Sequence, residues 1–292
     1  MDFCLSCPRK CRVDRTAGQR GYCGVGYEYV VAKADLHMWE EPCISGKSGS
    51  GAIFFSGCNL RCVYCQNRDI SRAEVGSICS EDELIDKMCE LESRGANNIN
   101  LVTPTPYAGR LAKTLEKARL KISVPIVYNC GGYEALESLE SLDGLVDVYL
   151  PDFKYFSPAL SLEYSSASDY AQRAAEAIAE MYRQVGEYKE SKFGIVQKGV
   201  IVRHLILPAC RKDSFSVLDL ISKVLPVDKI KVSIMCQYTP DFAISASQNN
   251  LHRRVTSFEY ASVLDYALKL GFDGFSQDRS SATSAYTPDF LD

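Results

Sequence analysis

Three cysteines in one short run constrain this chain more than any other feature. Gly57-Cys58-Asn59-Leu60-Arg61-Cys62-Val63-Tyr64-Cys65-Gln66-Asn67 sets its thiols at C-x3-C-x2-C spacing, directly after the apolar stretch Ala52-Ile53-Phe54-Phe55. A strand that runs into a Gly-containing loop can fold three nearby thiolates inward around one inorganic core. A [4Fe–4S] cluster usually takes four cysteine ligands. Three close thiols with no fourth nearby would leave one iron free for another ligand. The competing readings are buried structural cysteines or a zinc site, which draw on the same residue type.

The rest of the composition is that of an ordinary globular protein. With 292 residues, 46% hydrophobic and 24% charged, the chain can bury a substantial core in one large domain or one domain plus an appendage. A net charge of −4 argues against a nucleic-acid partner, which would call for a basic stripe. No 18-residue apolar run occurs, so no membrane span is expected. Met1-Asp2-Phe3-Cys4 lacks the basic and apolar regions of a signal peptide. A cytoplasmic location follows as the expectation, and with it thirteen reduced cysteines rather than disulfides.

Those cysteines fall into three groups. Cys4, Cys7, Cys11 and Cys23 form C-x2-C-x3-C-x11-C, and Cys58, Cys62 and Cys65 form the second set. Cys43, Cys79, Cys89, Cys130, Cys210 and Cys236 are scattered and read mostly as small apolar side chains of a core. Residues 1–48 show little periodicity but many glycines and prolines. Such a stretch cannot build its own core, so we expect a small Cys-rich segment stapled by metal. Its spacing suits either a tetrahedral zinc site or a second iron–sulfur centre, with Cys43 or His37 as conceivable additions.

Residues 49–292 alternate short β-branched or aromatic runs with amphipathic helical patterns. Strands are expected at 52–56, 98–103, 125–129, 146–150, 200–207, 230–235 and 273–276, and helices at 81–94, 108–121, 133–141, 169–187, 213–224 and 256–270. Ser80 with Glu83 reads as a capping box, and Gly95 as the stop of that helix. The polar stretch Tyr155–Ser168 reads as an extended crossover. Strands separated by such helices pair in parallel through right-handed crossovers. The expected fold is α/β, a partial (β/α)6 barrel with the Cys-rich segment at its amino end. Functional groups should then collect at the carboxyl ends of the strands. The sequence agrees: Cys58–Cys65, Thr103-Pro104-Thr105, Asn129-Cys130-Gly131-Gly132, Asp152-Phe153-Lys154 and Gln237-Tyr238 each follow a strand, and Arg203-His204 sits inside one.

The three-cysteine run closely resembles that of the radical S-adenosylmethionine (SAM) superfamily, which implies the radical SAM type of partial barrel. In that superfamily the open iron chelates the amino and carboxylate groups of SAM, and one electron cleaves it to a 5′-deoxyadenosyl radical. On this resemblance Cys58, Cys62 and Cys65 hold the catalytic cluster. Tyr64 would lie against adenine. Thr103 and Thr105 offer hydroxyls to the ligand, and Asn129 could bond ribose or the carboxylate. Gly131-Gly132 would let backbone approach the ligand. Asp152 and Lys154, two apart on a strand, share a face. Lys154 can pair with the methionine carboxylate while Asp152 holds Lys154, ribose or a cation. Arg68 offers charge near the loop or none beyond the surface.

Longer stretches resemble the pyruvate formate-lyase activating enzymes, and within them an activase-like branch of iron–sulfur proteins. These are Cys4-x-x-Cys7-Pro8-Arg9-x-Cys11-x-Val13-Asp14-Arg15, Gly21-Tyr22-Cys23-Gly24, Glu40-Glu41-Pro42-Cys43-Ile44-Ser45-Gly46, Phe54–Leu60, Leu101–Thr105, Leu150–Tyr155 and Arg203-His204-Leu205. The resemblance implies that Asp152, Lys154 and His204 contact SAM. It implies anaerobic chemistry, a reductant such as flavodoxin or ferredoxin, and a protein or peptide substrate whose glycine yields a hydrogen. Two features depart from it. Thr-Pro-Thr replaces a Gly-Gly-Glu turn, and the four-cysteine set at the amino end stands in for a ferredoxin-like insert. The expected activity is therefore hydrogen abstraction from a protein or peptide by a SAM-derived radical. Radical modification of a small molecule or cofactor precursor is the alternative, and a non-catalytic electron carrier the third reading.

Overall fold

The structure, a computed structural model, describes residues 3–243, 249–277 and 290. A nine-strand path runs through it, and every step from the second strand onward follows chain order. The strands are β1 (Tyr29–His37), β2 (Ser50–Phe55), β3 (Ser77–Cys79), β4 (Ile99–Val102), β5 (Ile126–Cys130), β6 (Val148–Pro151), β7 (Lys189–Glu190), β8 (Val196–Leu205), β9 (Lys231–Met235) and β10 (Gly274–Ser276). They are ordered β10-β9-β8-β6-β5-β4-β2-β1-β3, with β7 on β8. All pairings from β2 to β10 along this path are parallel, and β1 runs antiparallel to both β2 and β3.

Between these strands lie α1 (Pro42–Ser45), α2 (Arg68–Ser71), α3 (Glu81–Ser93), α4 (Ala108–Ala118), α5 (Leu136–Glu140), α6 (Pro158–Ser165), α7 (Tyr170–Val185), α8 (Arg211–Val224) and α9 (Ser257–Lys269). Each crossover advances one place in the same direction along the parallel sheet. Crossovers of constant hand put their helices on one face and leave the other as an interior. The result is a partial (β/α) barrel of six strands, β2, β4, β5, β6, β8 and β9, with β10 added at the far edge. Strands β2, β4, β5 and β6 are buried along their whole length, as parallel strands covered on both faces must be. Helix α3 begins with the expected capping box: Ser80 Oγ accepts from Glu83 N–H, and Glu83 Oε2 accepts from Ser80 N–H at 2.7 Å. No helix among the described residues is long and apolar enough to cross a membrane.

The structure adds the short elements α1, α2, β3 and β7 to those expected, and departs from the expectation at two longer stretches. Residues 29–37, inside the stretch read as lacking periodicity, form the longest antiparallel strand of the sheet. Its pattern was hidden because most of its residues are only half-buried. The stretch read as an extended crossover contains helix α6, whose start is signalled by Ser157 as N-cap and Pro158 in the first turn.

Register places the strand ends in line. Phe54 pairs with Val102, Val102 with Asn129, and Asn129 with Leu150, while Asp152 bridges to Arg203 just beyond. Buried tyrosines lock this rim. The Tyr170 hydroxyl lies 2.9 Å from Gly131 O and 2.8 Å from Asp152 O, and accepts from Lys154 N–H at 2.9 Å. One phenol thus ties the end of β5 to the end of β6. Tyr170→Phe keeps the ring and leaves those backbone groups without this partner. It should lower stability by about 1–3 kcal/mol, measured by urea unfolding; no change would show that the phenol is dispensable.

Candidate active site

A cavity of about 390 Å³ opens at the carboxyl ends of the strands, and the loop after β2 forms one wall. Cys58, Cys62 and Cys65 all border it. The loop has no regular structure, so its backbone is held from outside. Gly57 N–H donates to Ile70 O at 2.7 Å, Val63 N–H to Tyr164 O at 2.9 Å, and the Asn59 amide to Tyr133 O at 2.6 Å. Gly57 has φ +86°, and a Cβ there would lie 2.5 Å from Val25 Cγ1. Burial pushes the thiol of Cys58 up to about 11 and that of Cys65 to about 12, with the neighbouring thiols adding to the shift. Thiols crowded together on one wall ionise readily only beside a compensating cation, as metal ligation requires. Cys130 also borders the cavity, but its thiol turns to Glu134.

Cys62 has a further partner. Ser165 Oγ–H donates to Cys62 Sγ at 3.0 Å. With its one proton committed there, Ser165 must accept from Tyr155, 2.7 Å away, and Tyr155 from Tyr64, 2.6 Å away. Three buried hydroxyls therefore point in sequence toward one sulfur. Tyr64 itself borders the cavity as expected.

A charged network also borders the cavity. Lys154 Nζ pairs with Asp152 Oδ2 at 2.5 Å. Arg203 donates from Nε to Asp152 Oδ1 at 2.9 Å, from Nη1 to Glu40 Oε2 at 3.1 Å and from Nη2 to Asn129 Oδ1 at 2.5 Å. Glu40 Oε1 accepts from Asn100 and Asn129, both at 3.1 Å. Burial opposes the charge on Asp152, but Arg203 and Lys154 hold its pKa below the usual carboxylate value. Burial likewise opposes the charge on Lys154, and Asp152 with the nearby Cys62 thiol outweighs it and raises its pKa. Glu41 Oε2, Asn100 Oδ1 and Thr239 Oγ1 are buried without a partner, and Glu41 and Thr239 border the cavity. Unsatisfied polar atoms beside such a network are the mark of a site shaped for a polar ligand.

The cavity gathers Thr103, Asn129, Asp152 and Lys154 with the three thiols, as the sequence suggested. It does not gather His204 or Thr105. His204 is 1% exposed, and its ring nitrogens lie 2.7 Å from Phe153 O and 2.9 Å from Ser214 Oγ. Side chains alternate along β8, so Arg203 and Leu205 face the cavity and His204 faces away from it. Thr105 is fully buried in a 3₁₀ turn and donates to Glu134 Oε1 at 2.8 Å. Gly132 serves chain packing rather than a ligand, since a Cβ there would collide with Asp152 O. Arg68 stays at the surface, paired with Asp69. Glu40 and Arg203 carry the network and Glu41 borders the cavity beside it, yet only the placement of β1 and α1 gives the two glutamates a role. In the sequence they stood only within the Glu40–Gly46 stretch of the family resemblance.

The amino-terminal cysteines also come together. Cys4 N–H donates to Val13 O and Arg12 N–H to Cys4 O, closing a hairpin around Cys7 and Cys11. Tyr22 N–H lies 3.3 Å from Cys11 Sγ, and Arg15 Nη2 lies 3.1 Å from Cys23 Sγ. Cys4, Cys7 and Cys23 are buried. His37 lines the cavity instead, and Cys43 packs near Val196, so neither joins this set.

Behind the cavity sits Glu134, 2% exposed and bonded by Thr105, Tyr128 and Cys130. Burial raises its pKa from 4.5 to about 7. The folded state therefore holds this proton more tightly than the unfolded chain. Its contribution to stability is full below about pH 4.5 and is lost as pH rises to about 7, on the order of 3 kcal/mol in all. Urea unfolding from pH 4.5 to 7 should show Glu134→Gln with a shallower fall than the parent; parallel curves would refute the assignment.

Comparison with known proteins follows the same lines. The family described as the Radical SAM superfamily matches residues 52–196. An uncharacterized protein of Methanocaldococcus jannaschii is 30% identical over 282 residues, which is 92% of this chain and 75% of that protein. Among solved structures, SuiB of Streptococcus suis bound to precursor peptide SuiA has a TM-score of 0.52 at 12% identity. That match covers 76% of this chain and 46% of SuiB. A radical SAM methyltransferase from Sphaerobacter thermophilus has a TM-score of 0.50 at 12% identity, covering 78% of this chain and 66% of that one. This chain thus spans less than two thirds of either structure, and at such identity the likeness is one of fold.

Proposed function

The chain belongs to the radical SAM superfamily, and we propose that it is a hydrogen-abstracting enzyme acting on a protein or peptide. The family implies a [4Fe–4S] cluster and SAM. The observation that carries the reading is one cavity bordered by both the three thiols and residues of the Asp152–Lys154–Arg203–Glu40–Asn129 network. The donor set fits: three thiols, Cys62 buried and Cys58 and Cys65 half-buried, for an open cluster, and buried polar atoms without partners for a zwitterionic nucleotide.

Cys58, Cys62 and Cys65 would hold the cluster, which when bound supplies the electron that cleaves SAM to a 5′-deoxyadenosyl radical. Lys154 offers its ammonium to the methionine carboxylate, and Asp152 keeps that ammonium charged. Glu40, Glu41 and Asn129 offer acceptors for the amino group and ribose hydroxyls. Tyr64 offers a ring held in place by its bond to Tyr155. Leu60, Val102 and Met235 border the same space and limit water around these groups.

The volume of about 390 Å³ lies at the small end for ligand pockets, so a nucleotide would fill most of it. A substrate must then reach in from the open side, which favours a loop or peptide. A fold like this one admits a peptide in SuiB, solved with its precursor peptide. The activase-like reading, with a glycine of a partner protein as hydrogen donor and a ferredoxin or flavodoxin as reductant, rests on sequence resemblance. A small molecule or cofactor precursor is the second reading, favoured by the partnerless Glu41 and Thr239 at the same cavity. The amino-terminal thiols would hold a second metal centre.

Anaerobically reconstituted protein reduced with dithionite should form 5′-deoxyadenosine from SAM, and Cys58→Ala should not. Equal product from both would end the proposal. The hydroxyl chain to Cys62 stabilises the more negative, reduced cluster, as hydrogen bonds to cluster sulfurs do. Ser165→Ala should therefore lower the cluster potential by tens of millivolts, with ~59 mV per tenfold change in a one-electron equilibrium. An EPR-monitored redox titration reads this directly, and an unchanged potential would contradict it.

A further inference from the structure

We propose that Cys4, Cys7, Cys11 and Cys23 hold a second, redox-active iron–sulfur cluster that delivers electrons to the Cys58–Cys62–Cys65 site. The delivery half rests on the reading of that site given above; the occupancy of the amino-terminal site does not.

The donor set has the features of an anionic centre. Two of its sulfurs already meet N–H donors: Cys11 faces Tyr22 N–H and Cys23 faces the Arg15 guanidinium. Arg15 Nε is buried and finds no acceptor in the protein. A sulfide-bridged core beside it would supply one. A guanidinium against one sulfur and an amide N–H against another are the kind of hydrogen bonds to sulfur that set the potential of an iron–sulfur centre.

Placement supplies the function. A metal that only staples a coreless segment could lie anywhere on the surface. This one lies against the loop of the three thiols. A Cβ on Gly57 would be 2.8 Å from Cys23 O, and Cys58 is the next residue. Gly24 is closed by Arg61, whose Nη2 would be 2.5 Å from an added Cβ. Arg9 Nε donates to Asn59 O at 2.9 Å, with its guanidinium 4.1 Å from the centre of the Tyr22 ring. The segment that carries the amino-terminal thiols thus packs directly on the loop that carries the cavity thiols.

With both cores bound, a reduced ferredoxin- or flavodoxin-class protein would give up one electron, which the core held by Cys4, Cys7, Cys11 and Cys23 would take and pass to the core held by Cys58, Cys62 and Cys65. The donor protein would be oxidised and the cavity site reduced by one electron, with no bond formed or broken and no proton moved.

The test uses the full chain under anaerobic conditions. A Cys58→Ala/Cys62→Ala/Cys65→Ala variant should retain about four irons with matching sulfide and a dithionite-reducible EPR signal that ignores SAM. Zinc without iron, or iron that does not reduce, overturns the proposal. Next, Arg15→Met keeps all thiols but removes the cation at Cys23. It should lower the potential of the amino-terminal signal and slow ferredoxin-driven reduction of the SAM-responsive signal at least tenfold, while dithionite still produces that signal. Equal rates and potentials overturn the relay. Wild-type protein with a reducible amino-terminal cluster but no SAM-responsive signal would defeat the reading of the cavity, and the relay with it, while leaving the second cluster standing.

Discussion

The loop from Ser56 to Asn67 must turn three thiols inward without any regular secondary structure of its own. Its backbone groups therefore depend on partners from elsewhere. The start of β1 receives Ser56 N–H, the short helix α2 receives Gly57 N–H, α6 receives Val63 N–H, and the turn after β5 receives the Asn59 amide. Tyr107 donates to Ser56 O from the helical side. Elements far apart in the chain converge on a dozen residues. Loss of any one support loosens the wall that carries the thiols.

The charged network at the cavity solves an electrostatic problem. Glu40, Asp152, Lys154 and Arg203 are all largely removed from water, and isolated charges there would be prohibitively costly. They persist because Arg203 reaches Glu40, Asp152 and Asn129 at once, and Lys154 caps the remaining face of Asp152. Such networks seldom add net stability. What this one does is fix the direction of an ammonium and several acceptors toward one cavity. Glu41, the neighbour of the hub, is left with a partnerless oxygen, and burial raises its pKa. That is a group held ready for a ligand rather than for the fold.

The amino-terminal segment belongs to this arrangement rather than hanging beside it. Val25 and Cys23 occupy the space that a side chain on Gly57 would need, and strand β1 extends the parallel sheet by antiparallel pairing with β2. The sheet therefore reaches back into the stretch that composition alone set apart.

Local pattern was enough to read the seven parallel strands, the six connecting helices and the three-thiol loop, because period, caps and cysteine spacing are properties of neighbouring residues. Ser80 and Glu83 specify a helix start whatever surrounds them. Which side a strand residue faces is set by pairing, so His204 and Arg203 could not be told apart until β8 was placed between β6 and β9. Thr105 looked like Thr103 until a buried carboxylate, Glu134, claimed its hydroxyl. Ser165 and Glu40 lie 103 and 163 residues from the partners they meet, Cys62 and Arg203. Contacts at that separation are made by packing alone, which is why the chemistry of the loop was written locally and the shape of its surroundings was not.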